Sequence, residues 1–334
     1  MARRLALSLL VSAALVACTP AAAPSPSAPA TASPPPASAS PSAAASPSEA
    51  ACRTVTHALG ETCIPADPQR VVTLGCQTSL EYVLALGLPL VGYDESPFPP
   101  AVPAYIDQSL LDGATSVGSC FEPDLEKVEP LEPDLIVYTF DAGNYPQVSA
   151  IAPTVVLQVG YTSFRQDFLD AAELLGRTEE AEAHLADLDG RITALKDELA
   201  PVVGGKTVSV FNTTTDGKAR IATTGTYQGE LLSELGIERP ESQVADDQIE
   251  IGLEQIGLLD ADVAFAAFGF TDPSTEEAAE ETRQQYLDNP LWQTLAFVQN
   301  DALYEMDKAI LFGSHGIYWA DGVLQDIEAK VVGG

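Results

Sequence analysis

One arrangement of residues is written twice in this chain, 128 positions apart. Asp124-Leu125-Glu126-Lys127-Val128 leads through Leu131 and Asp134 into apolar Leu135-Ile136-Val137-Tyr138, and Gly252-Leu253-Glu254-Gln255-Ile256 leads through Leu259 and Asp262 into Val263-Ala264-Phe265-Ala266. Each copy reads as a cap, a short helix and a buried strand. A strand that is apolar along its length has to be covered on both faces, so it needs a sheet and flanking helices of its own. The two copies therefore predict two lobes of like build, and the fold class is α/β with two Rossmann-like lobes and parallel-rich sheets. The chain has 334 residues, 46% of them hydrophobic, which is enough for two such cores.

The beginning of the chain reads as an address. Met1-Ala2-Arg3-Arg4 followed by apolar Leu5 to Val16 has the basic and hydrophobic regions of a secretory signal, and it is too short to span a bilayer as a helix. Leu15-Val16-Ala17-Cys18 resembles the lipobox of bacterial lipoproteins. Residues 1–18 are expected to be a lipoprotein signal ending at Cys18, the residue that would carry the lipid. From Thr19 to Ala50 every residue but Glu49 is Ala, Pro, Ser or Thr, so residues 19–50 cannot build a core and should form a tether. Its reach lies between about 30 Å as a coil and about 100 Å as polyproline II. The folded part is thus expected outside the cytoplasm, held at the membrane by lipid.

Lys and Arg number 16 against 48 Asp and Glu, a formal net charge of −32, and loss of Arg3 and Arg4 with the signal would take it to −34. Such a surface repels nucleic acid, whose binding depends on Lys and Arg neutralising phosphates. Besides Cys18 there are four cysteines, an even number that in an exported chain favours two disulfides. Three pairings are open to them. A hairpin turning near Gly60-Glu61 would bring Cys52 and Cys63 together at low closure cost, which leaves Cys76 for Cys120. A four-cysteine metal site would want a C-x-x-C pair, which the chain lacks.

Along the body, Arg70 to Leu74 reads as a strand, Ser79 to Leu86 as a helix, and Leu90 to Tyr93, Leu135 to Phe140 and Thr154 to Leu157 as further strands, with a helix at Tyr145 to Ile151. Residues 51–160 form the expected N-terminal lobe. Phe164 to Ala200 is almost entirely helix-forming, punctuated by Gly176 and by Thr178 as an N-cap, and ended by Pro201 and Gly204-Gly205. Residues 161–201 are therefore expected to supply one long rigid helix spanning both lobes. The C-terminal lobe, 202–334, should hold strands at Thr207 to Asn212, Asp262 to Phe268 and Ala302 to Met306, with helices at Gly229 to Gly236, Glu276 to Leu287 and Ala320 to Val331.

In this order the residues resemble the lipoprotein substrate-binding proteins of ABC importers for ferric siderophores, haem and cobalamin. The resemblance rests on the lipobox, Val55-Thr56-His57-Ala58-Leu59-Gly60 leading to Pro68-Gln69-Arg70-Val71-Val72, Glu122-Pro123-Asp124-Leu125-Glu126, Leu131-Glu132-Pro133-Asp134-Leu135-Ile136, Glu173-Leu174-Leu175-Gly176-Arg177, Leu231-Leu232-Ser233-Glu234-Leu235-Gly236 and Gly252-Leu253-Glu254-Gln255-Ile256. It implies two lobes joined by one rigid helix, a ligand cleft between them, and one glutamate per lobe docked onto basic residues of a permease dimer. The matching glutamates are Glu126 and Glu254, each in the first turn of a short helix where it can pair with arginine across an interface. A first-turn glutamate also complements its own helix dipole, and Glu122 and Glu250 are the nearest substitutes.

Ligands of open α/β lobes lie outside the carboxyl ends of the strands. That rule selects Gln77, Tyr93, Tyr138 and Phe140 in the first lobe and Arg220, Phe270 and His315 in the second, with Arg165 as a further cation. With eight arginines and six lysines after the signal, no dense basic cluster for a trianionic tricatecholate complex is readable. The expected ligand is an iron(III) chelate of ferric hydroxamate or mixed kind, with haem and cobalamin as alternatives. His57, His184 and His315 are too few and too dispersed for a three-histidine metal site, so no cofactor is expected. The other class, a lipid-anchored hydrolase, finds no G-x-S-x-G, G-x-x-x-x-G-K-S/T, H-E-x-x-H or G-x-G-x-x-G motif here. The expected molecule is a monomeric binder, not an enzyme.

Overall fold

The computed structural model describes residues 52–96, 100–139, 142–160, 163–269, 276–313 and 315–333. Cys18, the tether, Phe140 and Phe270 lie outside the described residues.

The body opens with a hairpin, β1 (Cys52–His57) and β2 (Gly60–Pro65), in which Cys52 faces Pro65 and His57 faces Gly60. Its turn is therefore Ala58-Leu59, just before the Gly60-Glu61 position expected from sequence. The Cys52–Cys63 disulfide crosses the pair, with Cα atoms 5.5 Å apart. There follow β3 (Val71–Leu74), α1 (Gln77–Ala85), β4 (Leu90–Glu95), β5 (Thr115–Ser119), β6 (Glu122–Pro123), α2 (Leu125–Val128), β7 (Leu135–Tyr138), α3 (Tyr145–Val148) and β8 (Thr154–Val156). Their sheet has the order β6-β5-β4-β3-β7-β8, parallel except for β6.

Two helices, α4 (Phe164–Leu175) and α5 (Thr178–Val203), lead to the second lobe. Gly176 ends α4 with a φ of +71°, a conformation that favours glycine. Thr178 is the first residue of α5 rather than its cap, and Pro201 lies inside α5 instead of ending it. A proline one turn from the end deletes one backbone donor where only Val202 and Val203 remain to be wound, and the chain leaves the helix at Gly204.

The second lobe comprises β9 (Val208–Thr213), β10 (Ala219–Ile221), α6 (Tyr227–Glu234), β11 (Ile249–Ile251), β12 (Val263–Ala267), α7 (Glu276–Leu287), α8 (Ala296–Gln299), β13 (Leu303–Glu305), α9 (Lys308–Leu311) and α10 (Ile317–Ile327). Its sheet runs β11-β10-β9-β12-β13, with β9, β12 and β13 parallel and β10 antiparallel to both its neighbours, β9 and β11. The sequence repeat now has a spatial meaning. In each lobe the repeated unit delivers its strand, β7 or β12, to a place beside the lobe's leading strand, β3 or β9.

The leading strands are buried at every position because both faces of each sheet are covered. Val71, Leu135, Val137, Val208, Val210, Val263 and Phe265 all join one core with α4, α5 and α10, so the inner faces of the two sheets share a single apolar interior. Separate cores line the outer faces, around Ile136 and Val148 in the first lobe and around Trp292 and Phe297 in the second.

Candidate functional site

Strands β3, β4 and β5 end, in the first lobe, at Gly75-Cys76-Gln77, Ser96 and Cys120, while β13 of the second ends at Met306-Asp307. Of these ends, those of β3, β4 and β13 meet, through Gln77, Ser96 and Asp307, across a cavity of about 70 Å³ lined also by Pro100, Tyr105 and Ile310, among others. A second cavity of about 330 Å³ adjoins it, sharing Pro100, Asp307 and Ala309 and adding Phe268, Arg283, Glu305 and Lys308. The larger one alone falls in the size range of small-molecule sites. The strand-end rule thus leads to an inter-lobe cleft built from both halves of the chain.

The cleft is charged but internally compensated. Arg283 Nε lies 3.1 Å from Glu305 Oε2, its Nη1 lies 3.8 Å from Glu280, and the guanidinium sits 5.7 Å from the centre of the Phe268 ring. Asp307 caps α9 through the Ala309 and Ile310 amides. A ligand here would meet Arg283 already paired with carboxylates and Lys308 next to Asp307 in the chain, beside Gln77, Ser96 and Tyr105 as neutral polar groups.

A junction behind the cleft sets its walls. Glu81 of α1 is fully buried and accepts the Tyr105 hydroxyl at 2.9 Å and the Trp319 backbone N–H at 2.8 Å, so one carboxylate ties the first lobe to α10 of the second. Gly316 is required beside it, because a Cβ there would fall 2.2 Å from Glu81 Oε2. Trp319 stacks edge-on against Phe164 and Tyr227. Arg165 of α4 bridges Glu234 of α6 and Asp189 of α5 at 2.6–2.8 Å, and Glu230 accepts the Ser163 hydroxyl and the Phe164 N–H. Arg165, a candidate ligand cation from sequence, is therefore committed to holding α4, α5 and α6 together.

The other sequence candidates divide. Gln77 lines the cleft as expected. Tyr138 is 2% exposed in the outer core of the first lobe, because the last residue of a strand covered on both faces has no route to the cleft. Tyr93 is half-buried against Leu80, Ile106 and Leu111. Arg220 is half-exposed on β10, paired with Glu250 at 3.5 Å and lining neither cavity. His315 is 7% exposed within the junction, 3.3 Å from the Thr78 hydroxyl and packed on Tyr227; burial depresses its pKa to about 4 and keeps it neutral. His57 sits in β1 and His184 on α5, 3.6 Å from Asp321. Among the described residues no group of three or more His, Cys, Asp or Glu could hold a metal ion.

Sequence reasoning missed Tyr105, Arg283 and Lys308. Tyr105 lies in a proline-rich segment with no periodic pattern. Arg283 follows a run of glutamates on α7 that reads as a solvated face, and its signal was positional: α7 follows β12, whose carboxyl end opens on the cleft.

Glu126 and Glu254 are both exposed, Glu126 in the first turn of α2 and Glu254 in that of the 3-10 helix Leu253–Leu259. Glu250, one of the substitutes, is engaged by Lys218 at 2.6 Å and by Arg220. The second disulfide joins Cys76 to Cys120, with Cα atoms 4.8 Å apart.

Comparison with known proteins finds relatives along most of the chain. A family described as "Periplasmic binding protein" matches residues 71–310. "Probable siderophore-binding lipoprotein YfiY" of Bacillus subtilis is 32% identical over 292 residues, covering 83% of this chain and 86% of that protein. "Fe(3+)-citrate-binding protein YfmC" of the same organism is 28% identical, covering 84% and 86%. Among solved structures, Staphylococcus aureus SirA complexed with staphyloferrin B superposes with a TM-score of 0.70 at 28% identity, over 84% of this chain and 98% of that one.

Proposed function

The chain belongs to the periplasmic binding protein family, and on that footing we propose that it is an extracytoplasmic, lipid-anchored, monomeric binder that captures a ferric siderophore and delivers it to the permease dimer of an ABC importer. The observation that carries this reading is the cleft itself: two lobes of repeated build meet with Gln77, Ser96 and Asp307 just past their strand ends and with Tyr105 and Arg283 beside them. The relatives' names, which speak of siderophore and ferric citrate, support the choice of ligand. Cys18 would carry the lipid and residues 19–50 would hold the body off the membrane. The iron(III) chelate is cargo, and the protein's part is binding rather than catalysis.

The cleft cations favour a chelate of low net charge. Of the cations lining the cleft, Arg283 faces Glu305 and Glu280, and with Asp307 the lining carboxylates outnumber Arg283 and Lys308, so the cleft offers no excess of positive charge to a trianionic complex. A ferric hydroxamate or mixed-ligand chelate fits this balance. Titrating the mature protein with ferric hydroxamates, ferric catecholates, ferric citrate, haem and cobalamin, while following Tyr and Trp fluorescence, ranks the ligands directly. Tightest binding by a ferric hydroxamate or mixed chelate is expected; tighter binding of a tricatecholate overturns the charge argument, and binding of haem or cobalamin alone overturns the siderophore assignment.

Glu126 and Glu254 are the proposed contacts to the permease, one on each lobe. The double variant Glu126→Ala/Glu254→Ala should lose uptake in cells while keeping its ligand affinity. An unchanged uptake rate would remove both residues from that role.

A further inference from the structure

The carboxyl edge of the first sheet carries a clasp that the binding reading does not by itself require. Gly75 and Cys76, which join β3 to α1, have consecutive positive φ values of +92° and +72°. Gly75 has no alternative, since a Cβ there would lie 1.9 Å from the Thr139 carbonyl oxygen. Cys76 pairs its φ with a ψ of −173°, a region that is nearly closed to residues with a Cβ. Strain of this kind persists only where the surroundings over-determine the backbone.

Three restraints do so here. Asp94, 2% exposed on β4, accepts the N–H groups of both Gly75 and Cys76 with its Oδ2. The Thr139 hydroxyl donates to the Gly75 carbonyl. The disulfide ties Cys76 to Cys120, whose own N–H bonds to Glu95 O at 2.9 Å. Strands β3 and β5 flank β4 in the sheet, so the bridge passes over the end of β4 with the Asp94 carboxylate bound to the same turn. Both products of this clasp are cleft residues: Gln77 follows Cys76 directly, and Ser96 lies two residues after Asp94.

We infer that the Cys76–Cys120 disulfide and Asp94 are positioning residues for the ligand, holding the β3–α1 turn in the one backbone arrangement that presents Gln77 to the cleft, so that tight capture requires the oxidised protein. This rests on the cleft being the ligand site. Without the bridge Cys76 relaxes towards negative φ, and the first turn of α1 turns with it. The other disulfide, Cys52–Cys63, crosses a hairpin and touches no cleft residue, which makes it an internal control.

The test uses the mature chain, with ferrioxamine B and ferric citrate as probes, well below the unfolding temperature. Compared with wild type are Cys76→Ser/Cys120→Ser, Cys76→Gly/Cys120→Ser, Cys52→Ser/Cys63→Ser and Asp94→Ala, with thermal unfolding of each recorded alongside. Cys76→Ser/Cys120→Ser and Asp94→Ala are expected to weaken binding about tenfold, and the hairpin variant to bind within about twofold of wild type. Glycine adopts the Cys76 conformation without strain, so Cys76→Gly/Cys120→Ser should recover most of the affinity without recovering the thermal stability. Amide exchange at residues 75–78 should rise in the Ser variant and not in the hairpin variant, with or without ligand. Wild-type affinity and exchange in Cys76→Ser/Cys120→Ser overturn the inference, as does equal weakening by loss of either disulfide. A wild-type protein that binds no chelate of the wider panel, with exchange still raised in the Ser variant and not in the hairpin variant, overturns the ligand reading and leaves the clasp as a structural device only.

Discussion

His315 and Asp94 are both buried near the cleft, and burial acts on them in opposite senses. For His315 it disfavours the charged form and brings the pKa from 6.5 down to about 4. A lowered pKa of this kind gives stability that is present above the unfolded value and is lost as pH falls from about 6.5 towards 4. For Asp94 burial raises the pKa from 3.8 to about 7, partly opposed by the Gly75 and Cys76 N–H groups. Its contribution is full below the unfolded value and is lost as pH rises towards 7. The two groups therefore oppose each other over one window. Between pH 7.5 and 4.5, wild type should lose about 2 kcal/mol relative to His315→Gln, while Asp94→Asn should gain on wild type as pH rises from 4 to 7. Urea unfolding at stepped pH measures both, and a pH-independent difference for His315→Gln would contradict its burial as a neutral group.

The helix α5 shows how an element can be legible in sequence while its boundaries are not. Its length and apolar stripe could be read directly, and Leu188, Ile192, Leu195 and Leu199 are all buried as that stripe demands. Its end could not, because helical packing over the last turn outweighed the preference of Pro201. Strands β10 and β11 escaped notice for a related reason: at three residues each they are too short to show alternation, and their place is fixed by pairing with β9. The site divides in the same way. Gln77 was readable because it lies just past the end of a strongly apolar strand, after Gly75 and Cys76, whereas Tyr105 and Arg283 reach the cleft through tertiary placement that no local pattern encodes. Since α5 packs on helices of both lobes, truncation in its stripe should be felt globally. Leu188→Ala is expected to cost about 2–5 kcal/mol in chemical unfolding, and a cost below 1 kcal/mol would mean that the helix is not integral to the core.

At the scale of the molecule the shared interior decides the cooperativity. Residues of β3 and β7 from one lobe and of β9 and β12 from the other lie in one cluster with α4, α5 and α10. Lobes joined in this way should unfold together, in one calorimetric transition whose van't Hoff and calorimetric enthalpies agree. Two resolved transitions would show that the lobes are independent. Ligand should move that single transition upward as a whole, by mass action. The sheet edges carry a further consequence. β6 has two residues, and β8, β11 and β13 have three each, while the opening hairpin lies along β8, with the Thr62 hydroxyl bonded to Thr154 O and the Ala58 N–H to Val156 O. Long unpaired edges are templates for adding a foreign strand. Edges this short, with the hairpin as a stopper on one of them, leave little free backbone for another copy to zip onto, however closely copies crowd.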